Sequence, residues 1–333
     1  MKIVMMGTGT FAEPTFAALI TAGENVVGLV TQPDRETGRR TGASRQVGEG
    51  MATIAAAHSI PVIQPANINS PEGLAELQAL ASDLVVVAAY GQILKPDVIA
   101  TPPLGMINVH ASLLPKYRGA APVAYAIWKG ETHSGVTIIR ITPGLDSGAM
   151  LAQESLKIQP HETAGELEMR LAPLGAKLCL NVVQQLKLGP VTGTPQDAAL
   201  VTKAPKLTKE MGAIDWTKST DEIACHIRAM QPWPTAYTFF HRRGKEPMRV
   251  MICDTAPLTV RCPPDLSPGT LFIISKFPKS LFVLCGLLTN RQERSMLEIL
   301  ALQPAGKKRM TTSEFLRGYP IQDGYRFSPE PAA

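Results

Sequence analysis

Three polar residues within one 39-residue span, Asn108, His110 and Asp146, have side chains that together suit a single kind of reaction. An asparagine amide donates a hydrogen bond to a developing oxyanion. An imidazole gives or takes a proton near neutral pH. A carboxylate orients and charges that imidazole, or collects a proton through a water. Moving a one-carbon acyl group from a carrier to an amine needs these roles and no protein nucleophile. In such a scheme Asn108 and a protonated His110 steady the oxyanion, while Asp146 holds His110 charged and helps move the proton. Each residue alone is ordinary in a core, a turn or a strand end; their grouping points to chemistry.

The elements around them must bring the three together. The first part of the stretch from Gly105 alternates as a strand, so Ile107 and Val109 face the core while Asn108 and His110 share the opposite face. Residues 136–141 form a second strand, stopped by Thr142, Pro143 and Gly144, and Asp146 follows in a turn closed by Gly148. The trio thus converges from two adjacent strand ends. Upstream, residues 2–6 form an apolar strand, followed by Gly7-Thr8-Gly9-Thr10-Phe11-Ala12 and a helix to residue 22. This is the opening of a doubly wound α/β fold. A dinucleotide site is one reading of the glycines. The other is a tight turn, since Ala12 replaces the third glycine and Asp34 lies in a turn rather than at the end of the second strand, residues 26–31. Residues 83–89 (DLVVVAA) are a continuous apolar strand, as in a sheet covered on both faces. Helices are expected over 51–58, 74–81, 123–129 and 163–188, the last with Leu167, Leu171, Leu174, Leu178, Val182 and Leu186 on one stripe.

The segments Asn108-Val109-His110-Ala111-Ser112-Leu113-Leu114-Pro115, Arg118-Gly119-Ala120-Ala121-Pro122 and Gly144-Leu145-Asp146-Ser147-Gly148 resemble the signature of the folate-dependent formyltransferase superfamily. Nearly the whole chain is similar to its methionyl-tRNA formyltransferase family. The resemblance implies 10-formyltetrahydrofolate as formyl donor, initiator methionyl-tRNA as acceptor and no metal. It casts Asn108, His110 and Asp146 as catalytic. It makes Tyr90, Gly91, Gln92, Ile93, Leu94, Ser112, Leu113, Leu114 and Pro115 the wall of the folate pocket. It also makes the loop around Arg39 and Arg40 a reader of the tRNA acceptor end, although the run RTGASRQVGEG departs there from the family's basic, proline-rich pattern. A small amine or water as acceptor fits the same trio, as does an RNA-binding protein with an inactive core. The first two leave the basic second half without a purpose, and the intact trio opposes the third.

That second half is legible in charge. Residues 1–202 hold 14 Lys and Arg against 16 Asp and Glu, whereas residues 203–333 hold 19 against 12. Such asymmetry suits a polyanionic partner or a solvated basic face. Residues 189–205 are punctuated by Gly, Pro and Thr and read as a linker. Beyond them, Ser219 or Thr220 caps a helix that ends at Gln231-Pro232-Trp233-Pro234. Short strands follow (MRVMICDT, GTLFIIS, LFVLCG, MLEILALQP), the pattern of a small OB-like β-barrel. The expected division is a catalytic domain over 1–189, a linker over 190–208 and a tRNA-binding barrel with a returning tail over 209–333. Arg242, Arg243, Lys307, Lys308 and Arg309 are its candidate phosphate contacts. No apolar run reaches membrane-spanning length, and MKIVMMGTGTF lacks the pattern of a signal peptide. Five scattered cysteines read as free buried thiols of a reducing cytoplasm, with Cys253 and Cys262 spaced to permit a pairing. A monomer is expected.

Overall fold

A computed structural model describes residues 1–33, 50–259, 266–287 and 294–330. Arg39, Arg40 and Cys262 lie outside the described residues. The chain divides into two compact units. The first comprises Met1–Ala126, Thr132–Pro160 and Gly165–Lys206; the second comprises Ile127–Glu131, His161–Ala164 and Leu207–Ala333.

The first unit holds strands β1 (Lys2–Gly7), β2 (Asn25–Val30), β3 (Val62–Ile63), β4 (Leu84–Ala88), β5 (Met106–His110), β6 (His133–Arg140) and β7 (Met150–Lys157). Its helices are α1 (Glu13–Thr21), α2 (Met51–Ala57), α3 (Pro71–Ala79), α4 (Pro96–Ile99), most of α5 (Pro122–Trp128) and nearly all of α6 (Ala164–Leu188). The sheet order is β3-β2-β1-β4-β5-β6-β7. The first five strands run parallel, whereas β6 is antiparallel to β5, and β7 to β6. The strand order reverses between β1 and β4, the switch point at which such sheets open a crevice at their carboxyl ends. Gly7 ends β1 there, and a Cβ on it would lie 2.7 Å from the Ala88 carbonyl oxygen and 2.8 Å from the Ala12 Cβ. Close approach of strand, turn and helix explains this glycine without a bound dinucleotide.

Ile107 and Val109 are buried, as the alternation predicts. The long helix α6 covers them. A Cβ at Gly175 would sit 2.8 Å from the Val109 side chain, so a residue that weakens a helix by about 1 kcal/mol is used here for close helix–strand packing. Leu167, Leu171, Leu178, Val182 and Leu186 of the stripe are buried and Leu174 is half-buried. The sequence reading did not anticipate β7. It is an edge strand with alternating exposure, and its polar residues mask the strand signal.

The second unit contains α7 (Thr220–Ala229), β8 (Tyr237–Arg242), β9 (Lys245–Thr259), β10 (Leu271–Phe272), β11 (Leu281–Leu287), β12 (Arg294–Pro304), β13 (Met310–Thr311), α8 (Thr312–Gly318) and β14 (Arg326–Ser328). Ser219 caps α7, with Glu222 returning the bond in a capping box. The sheet runs β10-β11-β12-β9-β8-β14, with β13 beside β12. A bridge between Thr270 and Arg326 brings its two edges together, so the antiparallel sheet is a nearly closed barrel. Only Leu271 and Phe272 of the GTLFIIS segment are strand, because the closure turns the chain there. Gly269 sits at the seam with φ +88°, its amide donating to Leu284 and its carbonyl accepting from Phe327. The tail folds back onto the barrel. Phe315, Tyr319, Tyr325 and Phe327 all pack against the buried Phe240 ring.

A Cβ at Gly269 would overlap the Phe327 carbonyl oxygen. Gly269→Ala is therefore expected to destabilise the barrel by at least the roughly 1–3 kcal/mol of a strained backbone position, read as a lowered urea midpoint of tryptophan emission. An unchanged midpoint would remove Gly269 from the closure.

Candidate active site

The trio converges, but by a longer route than two strand ends. Because β5 and β6 are antiparallel, with Ile107 opposite Arg140 and His110 opposite Thr137, the carboxyl end of β6 lies beside the start of β5. The loop after β6 must run back along β5 to deliver Asp146. Gly148 makes that return possible, since a Cβ there would overlap the Arg140 carbonyl oxygen. Asp146 itself adopts a left-handed backbone, φ +46°.

The Asp146 carboxylate faces both partners. Its Oδ1 lies 3.5 Å from Asn108 Nδ2, and its Oδ2 lies 3.6 Å from His110 Nδ1. The Gly119 amide donates to Oδ2 at 2.8 Å. The other imidazole nitrogen, His110 Nε2, lies 3.0 Å from the Tyr117 carbonyl oxygen. A carbonyl only accepts, so Nε2 carries a proton and Nδ1 is the nitrogen that changes state. The His110 ring is 5 % exposed and the Asp146 side chain 15 %.

Burial pulls the His110 pKa below the usual histidine value and outweighs the upward pull of Asp146 and of the Tyr117 carbonyl; the charge of Arg118 pulls it down further. The desolvation cost of charging the ring exceeds the attraction of one nearby carboxylate.

The loop following β5 is pinned through its backbone. Thr137 Oγ1 donates to the Ser112 carbonyl and accepts from the Leu114 amide at 3.1 Å, and Gln153 Nε2 donates to the Leu114 carbonyl at 2.9 Å. Ser112 Oγ donates to the Lys116 carbonyl. Leu113 and Pro115 are half-buried. At the carboxyl end of β4, Tyr90 is buried with its hydroxyl lacking a partner among the described residues, and burial pushes its pKa to about 12. Gln92 turns inward, accepting from the Ile68 amide at 2.9 Å. Gly91 has φ +87°, Leu94 is half-buried, and Ile93 is 80 % exposed.

Sequence reasoning missed several supports of the site. Gln196 Nε2 donates to the carbonyls of Asp146 and Gly148 at 2.7 and 2.9 Å, while Arg118 Nε and Nη2 both donate to Gln196 Oε1. Thr202 Oγ1 accepts from the Tyr117 amide, and Ala204 exchanges backbone bonds with Arg118 and Ala121. These residues lie in the stretch read as a linker, and its punctuation by Gly and Pro carries no signal for such contacts.

On the barrel, Arg243, Lys307, Lys308 and Arg309 are exposed. Arg242 is half-buried, its guanidinium 5.4 Å from the Phe240 ring centroid and 5.5 Å from that of Tyr319. No group of three potential metal ligands occurs among the described residues, and no described helix is long and apolar enough to cross a membrane. Cys179, Cys225, Cys253 and Cys285 are free thiols.

An Asn–His–Asp cluster at the carboxyl end of an open α/β sheet, in a chain that continues into a separate barrel, has the residue types of a group-transfer enzyme. Residues 1–183 match the formyl transferase family model, and residues 206–320 match that of the formyl transferase C-terminal domain. A methionyl-tRNA formyltransferase of Ruminiclostridium cellulolyticum is 38% identical over 324 residues, covering 97% of this chain and 98% of the relative. One from Citrifermentans bemidjiense is 40% identical, covering 97% and 95%. A solved N-formyltransferase from Helicobacter canadensis, in complex with folinic acid and dTDP-3-aminofucose, shares the fold with a TM-score of 0.64 at 17% identity, over 89% of this chain and 98% of that one. The chain belongs to the formyl transferase family, among the methionyl-tRNA formyltransferases.

Buried neutral histidines make stability pH-dependent. With its folded pKa lowered, His110 binds a proton more readily in the unfolded chain, so stability is full above the unfolded value of 6.5 and falls as pH drops below it. His226, also lowered mainly by burial, acts in the same direction. The limiting slope is about 1.4 kcal/mol per pH unit for each histidine. Melting temperatures measured from pH 7.5 to 5 should fall for the parent chain and fall less steeply for His110→Gln. Equal slopes would mean that His110 does not rest neutral.

Proposed function

We propose that this chain transfers the formyl group of 10-formyltetrahydrofolate to the amino group of initiator methionyl-tRNA, giving formylmethionyl-tRNA for translation initiation. The observation that carries the reading is the Asn108–Asp146–His110 cluster in a chain that is 38–40% identical, over nearly its full length, to methionyl-tRNA formyltransferases.

The folate supplies an activated formyl group. In the transfer, the bond from the formyl carbon to the folate nitrogen breaks, a bond to the methionyl nitrogen forms, and one proton moves from the amine to the departing nitrogen. Asn108 Nδ2 donates to the formyl oxygen as negative charge gathers there. The neutral Nδ1 of His110 and the Asp146 carboxylate together take the proton from the amine and return it to the leaving nitrogen. The charge of Asp146 stabilises the imidazolium while it exists. A resting neutral ring suits this role, because it starts as an acceptor and becomes a strong donor.

The residues present fit a folate. Among the described residues, the backbone of residues 91–94 bonds to protein through the Ile93 carbonyl, which accepts from Asn69 Nδ2. The rest of that turn is left to pair with the edge of a pterin. The orphaned Tyr90 hydroxyl lies at the same strand end. Leu113, Leu114 and Pro115 supply apolar wall. Arg243, Lys307, Lys308 and Arg309, with Arg242 braced on its aromatic rings, give the barrel a basic face for tRNA phosphates, and Arg39 and Arg40 contact the acceptor end. The chain acts as a monomer in the cytoplasm, without a metal.

The direct test is formyl transfer to charged initiator methionyl-tRNA, with uncharged and elongator tRNAs as controls. Selective formylation of the charged initiator is expected; folate binding without transfer to it would sink the assignment. His110→Ala and Asp146→Asn should each lower turnover by about 100-fold or more with tRNA affinity little changed. Turnover near the parent level in either variant would overturn the role given to that residue. Replacing Lys307, Lys308 and Arg309 together by Ala should weaken tRNA binding and reduce its salt dependence by roughly one counterion per lost phosphate contact. An unaltered salt slope in a titration would move the tRNA surface elsewhere.

A further inference from the structure

Gln196 holds the Asp146 turn through the turn's backbone. Its Nε2 donates to the Asp146 carbonyl at 2.7 Å and to the Gly148 carbonyl at 2.9 Å, bridging the two sides of the turn. The turn has reason to need a bridge. Asp146 holds a left-handed backbone, which costs a non-glycine residue about 1–3 kcal/mol. The loop has also doubled back against the direction of β6. The amide cannot flip to present its oxygen, because Arg118 Nε and Nη2 occupy Oε1 at 3.0 and 2.8 Å. Arg118 is fixed in turn: its amide donates to the Thr202 carbonyl and its own carbonyl accepts from Ala204. The residue after it, Gly119, donates its amide to Asp146 Oδ2. The same short stretch of chain thus holds the aspartate by its side chain through Gly119 and by its backbone through Arg118 and Gln196.

We propose that Gln196, oriented by Arg118, is a positioning residue for the formyl transfer: it locks the Asp146 turn so that one carboxylate oxygen faces Asn108 and the other faces His110. This rests on the reaction proposed above. Among the described residues, the hydrogen bonds of Gln196 run to Arg118 and to the Asp146 turn, so its effect passes through Asp146. Without the bridge, the turn relaxes from its left-handed conformation and the carboxylate leaves Nδ1, where its charge is needed as the ring takes up a proton. A displacement of about 1 Å at such a site costs on the order of 100-fold in rate.

Two substitutions at Gln196 separate positioning from folding. Gln196→Ala removes the bridge. Gln196→Glu keeps the size and the contact with Arg118 but replaces the donor with an acceptor facing two carbonyls. Both variants should lose about 10- to 100-fold in kcat, with KM for both substrates within about two-fold and near-parent circular dichroism. In an Asp146→Asn background, Gln196→Ala should cost less than about three-fold more, because the two substitutions disable one device. An NMR titration of the His110 ring reads the position without turnover. Asp146 raises the His110 pKa, so loss of the bridge should move that titration to lower pH. Parent-level kcat in Gln196→Glu, full multiplicative losses in the double variant, or an unmoved His110 titration would each overturn the proposal. If the parent chain transfers no formyl group, the reaction itself fails; if the parent is active and the Gln196 variants match it, only the positioning role fails.

Discussion

The contact between the Asp146 carboxylate and the buried His110 ring is the constraint on which the first unit turns. Placing an ionised group beside a desolvated imidazole is worthwhile only if the geometry is fixed, because the burial that strengthens their attraction also resists charging the ring. The surrounding structure holds each member separately. His110 ends a strand whose opposite face is packed under α6 through Val109 and Gly175, and its Nε2 is tied to Tyr117. Asp146 comes from a loop that reverses along the sheet and is bonded at both carboxylate and backbone. Asn108, two residues from His110 and on the same face, meets the second carboxylate oxygen.

The antiparallel step from β5 to β6 explains why the site needs so much scaffolding. In a wholly parallel sheet, loops that follow adjacent strands emerge at the same end and meet without effort. Here the last crossover is replaced by a reversal, so the loop after β6 starts at the wrong end. The chain between β7 and the barrel supplies what is missing: Gln196, Thr202 and Ala204 bind the two loops that flank the trio. A stretch with the composition of a linker is thereby part of the first unit.

The second unit is organised by a different economy. Its sheet leaves two edges that would expose unpaired backbone groups, and it closes them across Gly269 and Phe327. The aromatic side chains of the returning tail gather on Phe240, and Arg242 lies over that cluster, part packing and part charge. Arg243, Lys307, Lys308 and Arg309 remain exposed on this unit.

The sequence by itself determined the periodic and chemical parts of this protein. The alternation of Ile107, Asn108, Val109 and His110, the apolar run of β4, the stripe of α6 and the cap at Ser219 are local patterns, and each formed the element its pattern predicts. The residue types at 108, 110 and 146 suggested a reaction class, and the excess of Lys and Arg over Asp and Glu in residues 203–333 is set by the chain alone. Tertiary structure alone decided how those parts act. Whether β6 runs parallel or antiparallel to β5 depends on pairing across the sheet, which leaves no mark in β6's own residues. The downward pull on the His110 pKa comes from burial, which only the fold creates. The roles of Gln196 and Gly269 arise from contacts made 50 and 58 residues away, at Asp146 and Phe327. Periodicity reports only what neighbouring residues share, so contacts between remote segments have to be read from the fold.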